Sequence, residues 1–144
     1  MTSVLFVDDD PFMREIADVV LRNGLGIDVV FASDATEAIE IAASGASFNL
    51  IILDLVMPRE DGISLFGRLR NNPCIQHTPV AFISARFLDE ECSALLDAGV
   101  VTFLTKPITP SKLKSEVISL LRLGRSGAVA SPCSKEPLVS PNPI

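Results

Sequence analysis

The feature that most constrains the fold of this 144-residue chain is a five-fold alternation of short apolar runs and helix-patterned segments. The apolar runs are Ser3 to Val7, Ile27 to Ala32, Leu50 to Leu53, Pro79 to Ile83 and Val100 to Leu104. Runs of this length, rich in branched residues, read as strands buried on both faces, as in parallel sheets. Between and after them, apolar residues recur at helical spacing. Met13, Ile16, Ala17, Val20 and Leu21 mark a first helix, and Ala35, Ala38, Ile39 and Ala42 a second. Ile63, Leu65, Phe66 and Leu69 mark the third, Leu88, Leu95 and Leu96 the fourth, and Leu113, Val117, Leu120 and Leu121 the fifth. Strand–helix repeats with right-handed crossovers predict an α/β fold, a (βα)5 doubly wound five-stranded parallel sheet with helices on both faces. The pattern predicts one domain over residues 1–123. From Gly124 the composition changes: residues 124–144 hold four of the ten prolines and read as a flexible Pro/Ser-rich tail or linker.

Composition narrows the function classes. No apolar run approaches the length of a membrane span, and the acids at Asp8 do not fit a signal peptide. A net charge of -6 argues against direct nucleic-acid binding, which needs clustered Lys and Arg. Three cysteines, Cys74, Cys92 and Cys133, with no CxxC pair suggest neither a disulfide framework nor a zinc site, and point to a cytoplasmic protein.

The chemistry gathers where the strands end. The first runs into Asp8-Asp9-Asp10-Pro11, the third into Asp54, the fourth into Ser84 and the fifth into Lys106-Pro107. Asp10 before Pro11 is explained as a helix N-cap with Pro in the first turn. Asp8 and Asp9 are not, and adjacent acids repel unless a cation or partner neutralises them. In a parallel sheet all carboxyl ends face one edge, so these side chains can converge. A carboxylate trio suits a hard cation such as Mg2+, while a lysine and a hydroxyl suit a phosphoryl group. Taken singly, Ser84 could cap the next helix and Lys106 could be a solvated loop lysine. Together they point to phosphoryl transfer with a carboxylate nucleophile.

The residues V-D-D (Val7 to Asp9), Asp54 with M-P-x-x-D-G (Met57 to Gly62), S-A (Ser84-Ala85) and K-P (Lys106-Pro107) resemble the response-regulator receiver domains of two-component signalling. The resemblance covers residues 3 to 123. It implies the flavodoxin-like receiver fold with strand order 2-1-3-4-5. It implies that Asp54 is the phosphoacceptor, loaded from a sensor histidine kinase or a phosphotransfer protein. It also implies a Mg2+ site of Asp8, Asp9, Asp54 and the Val56 backbone carbonyl, with Asp9 binding directly and Asp8 mostly through water. Ser84 and Lys106 match the groups that close on the phosphoryl group, Phe103 matches the aromatic switch position, and a cis bond is expected between Lys106 and Pro107. The expected output is a phosphorylation-driven change on the fourth-helix, fifth-strand, fifth-helix face, read by a downstream protein, by a domain beyond the tail, or by a second copy in a homodimer. The chain would then be a switch and not an enzyme, beyond its own phosphotransfer and slow autodephosphorylation. Arg86, two past Ser84, could reach phosphoryl oxygens, whereas the Val56 side chain cannot orient an attacking water; a long-lived aspartyl phosphate is expected. His77, the single histidine, reads as a solvated loop residue.

Two other readings use the same residues. A haloacid-dehalogenase-type phosphatase would also use an aspartate nucleophile in a D-x-D motif, a Ser or Thr after a strand and a Lys, parts that Asp8-Asp9-Asp10, Ser84 and Lys106 superficially offer. However, Phe12 stands where that motif wants Thr or Val, and no acidic pair follows Lys106 on a later strand. A phosphorylation-independent interaction module would share the fold but has no need of all the filled acceptor, metal, hydroxyl and lysine positions.

Overall fold

A computed structural model of the chain describes residues 2–87 and 89–126. Leu88, Cys133 and all but the first three residues of the expected tail lie outside the described residues. The strands β1 (Ser3–Val7), β2 (Asp28–Ala32), β3 (Leu50–Asp54), β4 (Val80–Ser84) and β5 (Val100–Thr105) form one parallel sheet in the order β2-β1-β3-β4-β5. The connecting helices are α1 (Pro11–Ala17), α2 (Ala35–Ala43), α3 (Gly62–Leu69), α4 (Asp89–Asp97) and α5 (Pro110–Ser126).

Alternation along the strands divides the core into two layers, because successive side chains point to opposite faces. Leu5, Val7, Ile51, Leu53, Val80 and Phe82 face one side, where Ala35, Ala38 and Ala42 of α2, Leu65, Phe66 and Leu69 of α3, and Leu95 of α4 cover them. Val4, Phe6, Leu50, Ile52, Ala81 and Ile83 face the other, under Met13 and Ala17 of α1 and Leu113, Val117 and Leu120 of α5. Strands β3 and β4 are buried along their whole length, as expected for a sheet covered on both faces.

Local signals set the helix starts. The side chains of Asp10, Asp34 and Asp61 accept the N–H groups of Phe12, Glu37 and Ser64, and so cap α1, α2 and α3. The first helix departs from the expected regular pattern. Beyond Ala17 it continues as a π-helical segment, Asp18–Gly24, before Gly26 (φ +67°) turns the chain toward β2. Val20 and Leu21 still reach the core there.

The structure also refines the last two helices. Of the apolar residues that mark the fourth helix, Leu95 covers the core while Leu96 is 52% exposed, because the next residue on a helix points about 100° away. The last helix runs through Ser126 and not to Leu123, so the backbone stays helical past the point where the apolar pattern stops. Among the described residues, Cys92 is a free thiol.

Candidate functional site

Each chemistry-bearing residue is fixed by a sheet hydrogen bond made at or just beyond its strand end. The N–H of Asp8 donates to Ala32 O (3.1 Å), that of Leu55 to Ile83 O (2.9 Å) and that of Lys106 to Ser84 O (2.8 Å). Because the register pairs Val7 with Leu53, Asp54 with Ile83 and Ser84 with Thr105, the four strand ends finish level. This places Asp8, Asp54, Ser84 and Lys106 at one edge of the sheet. Arg14 of α1 donates Nη1–H to the Asp8 carbonyl at 2.7 Å and ties the start of the β1–α1 loop to the helix.

Three carboxylates meet in the resulting pocket. One oxygen each of Asp8, Asp9 and Asp54 lies within 4.8 Å of the others. Asp8 is fully buried and Asp54 nearly so, whereas Asp9 faces solvent. Lys106 Nζ stands between the two buried acids, 3.1 Å from Asp8 Oδ2 and 3.3 Å from Asp54 Oδ2. Asp8 Oδ1 accepts the Asp10 N–H at 2.9 Å. Asp8 Oδ2 meets Lys106 as an ion pair but has no aligned hydrogen bond. Asp54 Oδ1 accepts the Val56 N–H at 3.2 Å, and the Val56 side chain is 69% exposed.

The electrostatics follow from this crowding. Burial, followed by repulsion from Asp8, pushes the Asp54 carboxyl up from 3.8 to about 7, against the opposing pull of Lys106. At Lys106, burial alone would lower the ammonium, but Asp8 and then Asp54 outweigh it and the net direction is upward. Two buried acids sharing one lysine leave excess negative charge. The all-oxygen donor set and the unaligned Asp8 Oδ2 fit a hard divalent cation better than a second protein cation.

The loop after β3 is shaped by Gly62. Its N–H donates to Leu55 O at 2.8 Å, and a Cβ there would fall 2.4 Å from Asp54 O and 2.9 Å from Leu55 Cα. Only a residue without a side chain lets α3 start this close to the acid. In the sequence Gly62 only closes the M-P-x-x-D-G stretch, and the close approach is what the structure adds.

Not every expected residue turns toward the pocket. Ser84 is buried, but its Oγ–H donates to Arg86 O at 3.0 Å, and the Arg86 N–H returns a bond at 3.3 Å. Phe103 is half-buried against Phe87, with ring centroids 5.1 Å apart. Arg86 is exposed, and so is His77, whose Nε2 lies 3.2 Å from Gln76 Nε2. The Lys106–Pro107 bond is cis, as expected. Sequence reasoning missed Arg14 and Phe87, one inside a helix and one in a loop, where no spacing pattern marks them.

The family model for the response regulator receiver domain matches residues 4–118. The chain belongs to that family. The receiver domain is 36% identical over 130 residues to the protein PetR of Rhodobacter capsulatus, and 34% identical over 119 residues to the response regulator Rre1 of Synechocystis. Those matches take in 90% and 83% of the chain but only 52% and 51% of the relatives, so the chain spans about half the length of these curated relatives. A two-component response regulator of Arabidopsis thaliana, ARR22, is 34% identical, with 78% of this chain and 79% of the relative covered. Among solved structures, the chemotaxis protein CheY4 of Vibrio cholerae superposes with a TM-score of 0.77 at 28% identity, covering 83% of this chain and 98% of that one. The receiver domain of the hybrid histidine kinase CckA gives 0.68 at 35% identity, with 83% and 98% covered. Among the described residues of the receiver domain, no helix is long and apolar enough to cross a membrane.

Proposed function

We propose that this receiver domain is a phosphorylation switch in which Asp54 accepts a phosphoryl group from the phosphohistidine of a sensor kinase or phosphotransfer protein. A carboxylate oxygen of Asp54 attacks phosphorus, the P–N bond breaks, and its electron pair returns to the imidazole nitrogen. Asp8, Asp9, Asp54 and the Val56 carbonyl would hold Mg2+, which would neutralise charge on the transferring oxygens. Lys106 stands ready to pair with a phosphoryl oxygen, because its ammonium already touches the acceptor carboxylate. Ser84 would turn its hydroxyl from Arg86 to the phosphoryl group, with Phe103 and the loop after β4 following. The observation that carries this reading is the pocket of Asp8, Asp54 and Lys106, with 3.1 and 3.3 Å separating the ammonium from the two acids.

The output face in this reading is α4–β5–α5, where Leu96 and Val101 are 52% and 40% exposed. It would present a changed surface to a downstream protein, a second copy, or a domain joined through residues 124–144. The test is the intact mass of wild type and Asp54→Asn after incubation with Mg2+ and acetyl phosphate. One added phosphoryl group in the wild type only is the expected result. No addition, together with no binding of beryllofluoride in Mg2+, would overturn it in favour of a phosphorylation-independent interaction module.

A further inference from the structure

Ser84 has a single hydroxyl proton, and it is given to the Arg86 carbonyl. The next residue, Phe87, sets its ring edge-to-face against Phe103, at 5.1 Å between centroids and 65° between planes. Both rings pack on the core layer beneath α2, α3 and α4. Phe103 belongs to β5, the edge strand of the sheet among the described residues. Residues 84–87 are therefore held at two points, the Ser84 hydroxyl closing on the Arg86 carbonyl within the segment and the Phe87 ring packing on Phe103 of that edge. The two points share one peptide unit, Arg86–Phe87, whose carbonyl takes the hydroxyl bond and whose second residue carries the ring.

This linkage has a mechanical consequence, which rests on the reading of Asp54 and Ser84 given above. A hydroxyl that donates to a phosphoryl oxygen must release the Arg86 carbonyl, since it has no second proton to offer. A released peptide is free to rotate, and rotation draws the Phe87 ring off Phe103. We propose that Phe87 is a positioning residue, a latch that holds the loop and Phe103 in the unphosphorylated arrangement and opens when Ser84 turns to the phosphoryl group. The ring contact then belongs to one state only and opposes phosphorylation. A ring that merely covered the core would favour neither state.

The sign of one measurement separates these two roles. The intact chain is titrated with beryllofluoride, a phosphoryl mimic, in Mg2+, and binding is followed by fluorine NMR for wild type, Phe87→Ala and Phe87→Leu. Loss of one edge-to-face pair moves a two-state balance by about two- to tenfold. The latch therefore predicts tighter binding by about that factor in Phe87→Ala, and a smaller gain in Phe87→Leu, which keeps apolar cover but lacks a ring. Should Phe87→Ala fail to unfold cooperatively, Phe87→Leu decides alone. Unchanged or weaker binding in a folded variant would overturn the latch and leave the Asp54 reading standing. A wild type that neither binds beryllofluoride nor takes up a phosphoryl group would overturn both.

Discussion

Replacing Asp54 by Asn should stabilise the metal-free protein, and by an amount that depends on pH. The fold raises the Asp54 carboxyl from 3.8 to about 7, so the native state binds this proton more tightly than the unfolded chain does. Stability from that proton is full below 3.8 and is lost as pH rises through about 7. At pH 5 the wild type still keeps roughly 3 kcal/mol of it, and at pH 8 almost none. Asn is neutral at every pH and stands in for the protonated acid. The stability gap between Asp54→Asn and wild type should therefore widen by about 3 kcal/mol from pH 5 to pH 8. Lys106 does not blur this window, because its ammonium is shifted upward and titrates well above pH 8. Urea unfolding of both proteins in EDTA at the two pH values gives the gap directly, and taking the difference cancels the other titrating groups. Millimolar Mg2+ at pH 8 should close much of the gap, by stabilising the wild type more than the variant. A gap that stays constant from pH 5 to pH 8 would refute the burial of Asp54 against Asp8 as the source of the charge penalty.

Two further substitutions probe the same pocket from its cation and from its backbone. Lys106→Met removes the ammonium that faces both buried acids, and should cost about 3 kcal/mol at pH 8 but less at pH 5, where Asp54 holds its proton; urea midpoints at the two pH values read this. Gly62→Ala puts a methyl 2.4 Å from the Asp54 carbonyl and 2.9 Å from Leu55 Cα, so backbone must move, at about 3 kcal/mol, whereas Gly67→Ala in the same helix meets nothing within 4 Å and should gain a few tenths to about 1 kcal/mol by urea unfolding.

The sheet was legible in the sequence because its strands are buried on both faces. A strand such as Leu50–Asp54 has to be apolar throughout, so the single carboxylate that ends it stands out against its neighbours. The same contrast marks Asp8, Ser84 and Lys106. Helix interiors were less legible. Met13, Ala17, Val20 and Leu21 satisfy a regular helical stripe, yet the last two lie in the π-helical segment and are buried there all the same. On the fourth helix the sequence pattern did not tell which of two adjacent leucines is buried, and α4 buries Leu95 and leaves Leu96 exposed. The least legible features depend on contacts distant in sequence. Asp54 and Lys106 are 52 residues apart, and the ion pair that joins them exists only once β3, β4 and β5 finish level.

The site residues and the switch residues were also not equally readable, for a physical reason. Asp8 and Asp54 are charged groups buried at one edge of the sheet beside Lys106, which is costly, so their presence calls for an explanation in ligand chemistry. Phe87 carries no such cost. An aromatic ring in a loop is ordinary, and its meaning comes from the ring it touches and from the peptide it shares with the Ser84 hydrogen bond. Charge concentrated at the strand ends supplies the stress that phosphorylation and a cation would change. In the proposed latch, the loop whose Phe87 ring rests on Phe103 would determine whether that change is absorbed locally or passed to α4 and β5. On this account the two halves are separable: Asp54→Asn should abolish phosphoryl uptake without loosening the loop, whereas Phe87→Leu should alter the response while leaving the acidic pocket intact.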